Sequence, residues 1–404
     1  MRSESSSGHG FDPVARLNAR EDVGLRRELS PHETVGARTR WTNDPCGAQP
    51  VFAGDTPAIV MASNNYLGLA GDDRVTDAAG RCAELVGAGA GASRLVTGDT
   101  PAHRALERDL ARTKGTKRAL TFSSGYAANV GTITALDPDV VFSDVSNHAS
   151  IIDGCRLASS EVVVYDHCDP DALETAMADR ANELASTDSW LVVTDSVFSM
   201  DGDVAPLSSL CDVAEQYGAW MMVDEAHATG LYADGGGIVQ RDGLSDRIQI
   251  QLGTLSKALG AQGGYVAASE PVVELLANEA RSFVYSTGLA PPAAAAAQTA
   301  LSIARHGDRR QQLWSNVDRL RTGLTAAGYD IAGSSQILPV IVGDRQDAVA
   351  LAAELAEEGI VAPAIRPPTV PEGTSRIRLA PMATHTSEDI DRCVKAFERA
   401  EVAP

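Results

Sequence analysis

Between residues 118 and 269 one pattern repeats: a short apolar run, then a longer amphipathic stretch. The runs are RALTF (118–122), DVVFSD (139–144), EVVVYD (161–166), SWLVVTD (189–195), AWMMVDE (219–225), IQIQLGT (248–254) and GGYVAAS (263–269). Stretches between them, such as PLSSLCDVAEQYG, have helical spacing. Alternating short strands and helices predict an α/β domain around a mainly parallel sheet. The residues at the end of each run are more informative. RALTF leads into SSGY, DVVF into SDVSNH, LVVTD into SVFSMDG, WMMV into DEAHATG, and IQIQLG into TLSK. In open α/β sheets ligands bind beyond the carboxyl ends of the strands. Any one of these polar ends is a turn or a helix cap by itself. Five in series predict a single crevice lined by Ser, His, Asp and Lys.

The flanking segments differ in character. Residues 1–57 carry helical periodicity around ARLNAREDVGLRREL and then a loop rich in Gly, Pro, Thr and Asp. The large domain is expected over 58–290. Near 290 a Pro-Pro break opens GLAPPAAAAAQTALSIARHG, followed by SQILPVIVG, DAVALAAELAEEG and SRIRLAPMATHT. This predicts a smaller α+β domain over 291–404. No apolar run is long enough to span a bilayer, and MRSESSSGHGFDP has no apolar core for a signal peptide, so a cytoplasmic location is expected. The six cysteines form no CxxC pair and read as reduced thiols, with no metal centre expected. Acidic residues outnumber basic ones 54 to 34, a net charge of −20 that repels nucleic-acid backbones. Acid excess with so few lysines also suits a protein of halophilic origin.

The chain has four lysines: Lys114, Lys117, Lys257 and Lys395. Lys257 stands in TLSKALGAQGG among small residues. Arginine carries the same charge but does not lose its proton in a protein, whereas a lysine neutralised by its surroundings becomes a nucleophile or base. In TFSSGYAANVG (121–131) a strand ends and a helix begins, and backbone N–H groups at a helix N-terminus make an anion site. No GK dipeptide occurs anywhere, so there is no nucleotide P-loop, and DEAH at 224–227 does not mark a helicase. Asp224 follows four apolar residues and is expected at a buried strand end, where a carboxylate needs a partner. That partner is a core salt bridge or a pyridinium nitrogen. A phosphate cradle, an acidic ring partner and a Schiff-base lysine together point to pyridoxal 5'-phosphate (PLP).

Over residues 60–390 the chain resembles the α-oxoamine synthases, within the fold-type I, aspartate aminotransferase-like PLP enzymes. The matching segments are SNNYLGL, GAGASRLVTGDTPAHRALE, FSSGYAAN, DVSNHASIIDGCRL, DSVFSMDGD, VDEAHATG, TLSKALG, YSTGLAPP and RPPTVPEGTSRIRLAPMATH, in that order. The resemblance implies an enzyme that joins an amino acid to an acyl thioester with loss of CO2. It implies that Lys257 is the Schiff-base lysine and proton-transfer base, and that Asp224 pairs with the pyridine nitrogen. His227 and Ser199 would contact the ring hydroxyl, and His148 would stack on the ring. Ser124, Gly125, Tyr126 and Thr254 would bind the phosphate. Ser286 and Thr287 would reach the phosphate of a second copy, which implies a homodimer with shared active sites. Arg378 would hold the amino-acid carboxylate, with Arg376 as the alternative, and Asn65 would line the site. An N-terminal arginine, Arg26 or Arg27, has no alignment that selects it.

Within the family, SRLVTG (93–98) and IRPPTVP (365–371) resemble the 8-amino-7-oxononanoate synthases, which use L-alanine and a pimeloyl thioester such as pimeloyl-CoA in biotin synthesis. NNYLGL and NHASIIDG are also at home in glycine C-acetyltransferases, which use glycine and acetyl-CoA. A non-catalytic PLP-fold partner subunit is the reading of another class. The presence of Lys257 counts against it.

Overall fold

The computed structural model describes residues 11–22, 26, 32, 34–39, 57–181 and 188–401. Residues 34–39 and 57–404 belong to one compact unit, and the remaining N-terminal residues to another. In the N-terminal unit the expected helix runs Pro13–Asp22, where Asp12 Oδ1 accepts the Ala15 N–H at 2.9 Å. Arg26 pairs with Glu21 at 2.6 Å. Arg27 and Cys46 lie outside the described residues. No helix among the described residues is long and apolar enough to cross a membrane.

The large unit is built on a seven-stranded sheet. Its strands are β1 (Arg118–Phe122), β2 (Val140–Asp144), β3 (Glu161–Tyr165), β4 (Trp190–Asp195), β5 (Trp220–Asp224), β6 (Ile250–Thr254) and β7 (Gly264–Ala268). They are the seven runs identified in the sequence. Their order is β1-β7-β6-β5-β4-β2-β3, and β7 is antiparallel to both neighbours while the other pairs are parallel. The inner runs are apolar at consecutive positions because both faces are covered, whereas the edge strand β3 leaves Val162 and Val164 exposed on one face. Leu191, Val193 and Met222 enter one hydrophobic cluster, and Val192, Met221 and Val223 enter the cluster on the opposite face. Each such side chain contributes about 1.5–3 kcal/mol on burial.

Two small sheets complete the unit. Leu338–Gly343, Ser375–Leu379 and Ala364–Ile365 pair antiparallel. Ala58–Val60 pairs with Arg38–Thr39 on one side and, in parallel, with Ile360–Val361 on the other. The chain before the large sheet therefore shares a sheet with the chain near its C-terminal end. The long helix after the Pro-Pro break, Pro291–His306, packs against Asp73–Val86 and Pro101–Lys114.

The FSMDGD segment forms a hairpin over the carboxyl edge, closed by a Val197–Val204 bridge and by Phe198 N–H to the Asp203 carbonyl at 3.0 Å. Gly202 turns it with φ +68°, and a Cβ there would meet the Ile337 carbonyl at 2.5 Å. His167 clamps the hairpin from the sheet side. Its Nδ1 lies 3.0 Å from Asp144 and its Nε2 lies 3.3 Å from Asp203. Its ring meets Phe198 edge-on at 4.3 Å. Asp144, His167 and Cys168 bring possible metal-ligand atoms within 4.8 Å of one another. Both imidazole nitrogens, however, already face carboxylates. Hydrogen bonds to Asp144 first, and to Cys168, push the imidazole up to about 11, so it is an imidazolium at neutral pH.

A pKa raised on folding gives stability that is complete below the unfolded value of 6.5 and is lost as pH climbs toward about 11. His167→Ala should therefore lower Tm most at about pH 6 and progressively less toward about pH 10. A pH-independent difference in a thermal scan would leave packing on Phe198 as its contribution.

Candidate active site

Adjacent carboxylates at the end of β5 have different surroundings. Glu225 is fully buried and pairs with the fully buried Lys114 at 2.5 Å. Its other oxygen accepts the Val239 N–H at 2.9 Å. Asp224 points elsewhere: Oδ2 accepts from Asn129 Nδ2 at 2.7 Å and Oδ1 from the Ala226 N–H at 2.8 Å. It is 3% exposed and, among the described residues, has no cationic partner within 4 Å. Asp195 is its register neighbour on β4 and is also buried. Burial, then the neighbouring Asp224, push the Asp195 carboxyl well above its ordinary range. The core salt bridge considered for Asp224 is thus made by Glu225, and a negatively charged pocket remains that suits a cationic ring nitrogen.

Lys257 follows β6 by three residues and is half-buried. Burial pulls its ammonium down to about 8, Arg378 acts in the same direction, and Asp224 and Asp195 oppose it. About a tenth is therefore neutral amine at pH 7, against well under a thousandth for an ordinary lysine. Its Nζ lies 2.8 Å from His227 Nε2. His227 is 5% exposed, and burial, with Lys257, Arg378 and His148 adding to it, holds it well below its ordinary value. The ring is neutral.

The anion site forms where β1 ends. Helix α1 (Gly125–Leu136) is capped by Ser124, whose hydroxyl accepts the Ala127 N–H at 3.0 Å. Gly125 and Tyr126 supply the first two helical N–H groups, and the Tyr126 side chain turns outward to Asp153 at 2.7 Å. Thr254, at the end of β6, borders this turn: a Cβ on Gly125 would lie 3.5 Å from Thr254 Cβ. A Cβ on Gly264 would meet Ser124 O at 2.5 Å and Gly125 N at 2.6 Å, so only glycine lets β7 pass this close. His148 caps helix α2 (Ala149–Leu157) with Nδ1 2.7 Å from Ser150 Oγ, and its ring is exposed. Its backbone N–H donates to Asp195 at 2.8 Å.

The two candidate arginines separate clearly. Arg376 is ion-paired to Asp201. Arg378, 6% exposed, has no carboxylate within 4 Å among the described residues. Its Nε donates to the Ser199 carbonyl at 2.5 Å, and its Nη2 to Asn64 Oδ1 at 3.1 Å and to Tyr66 Oη at 3.4 Å. A buried guanidinium held by neutral groups is ready for a substrate carboxylate. The Asn65 amide is occupied by the Val35 carbonyl at 3.1 Å and the Ala70 N–H at 3.2 Å, and Asn64 is the residue that touches Arg378. Ser286 and Thr287 stand outside this network. Ser286 Oγ donates to the Thr287 carbonyl at 3.1 Å, and Thr287 is exposed.

Sequence reading missed Asn64, Tyr66, Asn129 and Asp195. Asp195 had the same signal as Asp224, a carboxylate closing an apolar run. Asn129 is a polar residue in an otherwise apolar helical stretch, four residues after Gly125. Nothing in the pattern distinguished Asn64 from Asn65.

A family model described as aminotransferase class I and II matches residues 56–397. The chain is 47% identical over 389 residues to the 8-amino-7-oxononanoate synthase of Anaeromyxobacter dehalogenans, covering 95% of this chain and 94% of that protein. It is 48% identical over 356 residues to the enzyme of that name from Geobacter sulfurreducens, covering 86% and 90%. A solved serine palmitoyltransferase from S. paucimobilis, with bound PLP-myriocin aldimine, superposes with a TM-score of 0.86 at 30% identity over 96% of both chains. The fold is that of the fold-type I PLP transferases. With this sheet, this order of motifs and these relatives, the chain belongs to the aminotransferase class I and II family, in its α-oxoamine synthase group.

Proposed function

We propose that this chain condenses L-alanine with a pimeloyl thioester, releasing the thiol and CO2, as an 8-amino-7-oxononanoate synthase does in biotin synthesis. Relatives of that name at 44–49% identity over most of the chain support the substrates. The observation that carries the chemistry is the pocket of Asp224, whose buried carboxylate has no cation within 4 Å among the described residues while Glu225 beside it has one. The cofactor is PLP, which when bound supplies an electron sink for the Cα carbanion.

Each residue of the crevice has its own task. Asp224 would keep a proton on the ring nitrogen, with Asn129 orienting the carboxylate. Gly125 and Tyr126 would hold the phosphate by N–H groups, with Ser124 and Thr254 shaping the turn. Ser286 and Thr287 of a partner subunit would close that site. His148 would cover the ring face, and Ser199 and His227 would face the ring hydroxyl. Arg378 binds the amino-acid carboxylate, and Asn65 helps shape the wall through its backbone turn. Lys257 removes the Cα proton as the neutral amine. A bond then forms between Cα and the thioester carbonyl carbon, the sulfur leaves as thiolate and takes a proton from solvent, the carboxylate departs as CO2, and Lys257 returns its proton to Cα.

A homodimer belongs to the same reading. Leu95 (55% exposed), Val96 (74%) and Tyr285 (75%) leave apolar surface on two loops that are tied together. Ser93 Oγ donates to the Val284 carbonyl, and the Gly288 N–H to the Ala92 carbonyl, both at 3.0 Å. Ser286 and Thr287 lie within this surface. The protein acts in the cytoplasm, and its acid excess is an adaptation to concentrated salt.

The function is tested by measuring thiol release with L-alanine and pimeloyl-CoA, and separately with glycine and acetyl-CoA. Release with the first pair alone is expected, and release with the second alone would assign a glycine C-acetyltransferase. Lys257→Ala should abolish turnover. Arg378→Lys should raise KM for the amino acid about tenfold or more, since a point charge replaces a two-pronged one. Arg376→Lys should leave that KM within about threefold and lower Tm instead. Sedimentation should give twice the 42.3 kDa chain mass. Tm should rise as KCl is raised to molar concentration, and a flat response would remove the halophilic assignment.

A further inference from the structure

Tyr66 is fully buried at the centre of the site, and the condensation chemistry gives it no task. Its Oη lies 2.7 Å from His227 Nδ1, 3.1 Å from Asn64 Oδ1 and 3.4 Å from Arg378 Nη2. The other nitrogen of His227 faces Lys257 Nζ at 2.8 Å. A continuous line of hydrogen bonds therefore joins the lysine to the carboxylate-binding arginine.

Counting protons restricts how this line is arranged. Arg378 can only donate, and Asn64 Oδ1 can only accept. The phenol has one proton, and the neutral imidazole has one. If the phenol donates to His227 Nδ1, the imidazole proton sits on Nε2 and points at Lys257. The lysine must then be the neutral amine, accepting through its lone pair. If the phenol donates to Asn64, Nδ1–H donates to the phenol, and Nε2 accepts from lysine as amine or ammonium. The partner of one ring nitrogen selects the tautomer. Asn64 Oδ1 already receives a proton from Arg378, and the shorter phenol contact is the one to His227. An amide oxygen accepts two protons, so Asn64 Oδ1 stays open to the phenol at 3.1 Å, and it is the shorter contact to His227 that favours the first arrangement. The Gln336 amide donates to the His227 carbonyl at 2.7 Å and borders the phenol, which holds the ring in place from a second side.

We propose that Tyr66 is a positioning residue: its hydroxyl fixes His227 as the Nε2–H tautomer and so favours the neutral amine at Lys257. The other groups facing this pair are Asp224 and Asp195, which favour the ammonium, and Arg378 and His148, which oppose positive charge there. The proposal rests on the reading of Lys257 as the residue that bonds the cofactor.

Tyr66→Phe keeps the ring in its slot and removes the hydroxyl. Cofactor-free protein is mixed with PLP over a range of pH, and the absorbance change on binding is timed. The rate requires neutral lysine, so its midpoint reports Lys257. In Tyr66→Phe the midpoint should move up by about one pH unit, with a roughly tenfold slower rate near neutrality. A role confined to packing would lower Tm and scale all rates without moving the midpoint, and a profile superimposable on wild type overturns the proposal. Lys257→Ala separates the two levels: if that variant retains the absorbance change, the reading of Lys257 itself fails. Should Tyr66→Phe not fold, wild-type protein labelled with 15N-histidine gives the answer. His148 and His227 both face the cofactor, so the ring signal that still shifts on adding PLP in His148→Asn is that of His227; it must be the Nε2–H form, and the Nδ1–H form overturns the proposal.

Discussion

The arrangement of charge at the end of β5 governs the rest of this molecule. Two buried carboxylates stand next to one another in the chain, and they must point to opposite sides of it. Glu225 is neutralised inside the protein by Lys114, in a pair whose disruption costs about 3–5 kcal/mol because one charge would remain buried and unpaired. Asp224 is left with amide donors and a second buried carboxylate, Asp195, beside it. Burial and the closeness of Asp224 push Asp195 toward its neutral form, and such a pair is tolerated where a cation will come. Lys257 and Arg378 supply part of the compensating field, and a protonated ring would supply the remainder.

The same principle separates the arginines. Arg376 and Arg378 are two residues apart on one strand and equally buried, and composition cannot rank them. Arg376 is paired with Asp201, whereas Arg378 is held, among the described residues, by uncharged oxygens. An anchored guanidinium with its charge unmatched is a receptor for an anion, and one already matched is a structural tie. Both act on the hairpin 197–204, which His167 clamps from its other side through Asp203. The Ser199 carbonyl, which accepts from Arg378, thus sits on a segment pinned at both flanks.

Much of this architecture is legible in the residues alone. All seven strands of the large sheet fall on the apolar runs, and the inner ones, buried on both faces, must be apolar at consecutive positions. The carboxyl-end rule then predicts one crevice lined by the polar ends of five of these runs. Pairing across long sequence separations was not legible. Ala58–Val60 joins Ile360–Val361, a contact that no local pattern encodes. Nor does spacing tell Asn64 from Asn65. Neighbouring side chains in a tight turn diverge, and the backbone conformation of that turn decides which one reaches Arg378.

The sequence by itself determined the order of elements and the kinds of residue at each strand end, because hydrophobic period and turn chemistry are local properties. It also determined that position 257 can be neutralised and an arginine there could not. Only the tertiary structure decided which charges are matched and which are left open. That depends on distances between residues far apart in the chain: Lys114 to Glu225, Arg376 to Asp201, and Tyr66 to His227. Burial raises the cost of every unmatched charge, so these long-range pairings, more than the residue types themselves, select the groups free to do chemistry.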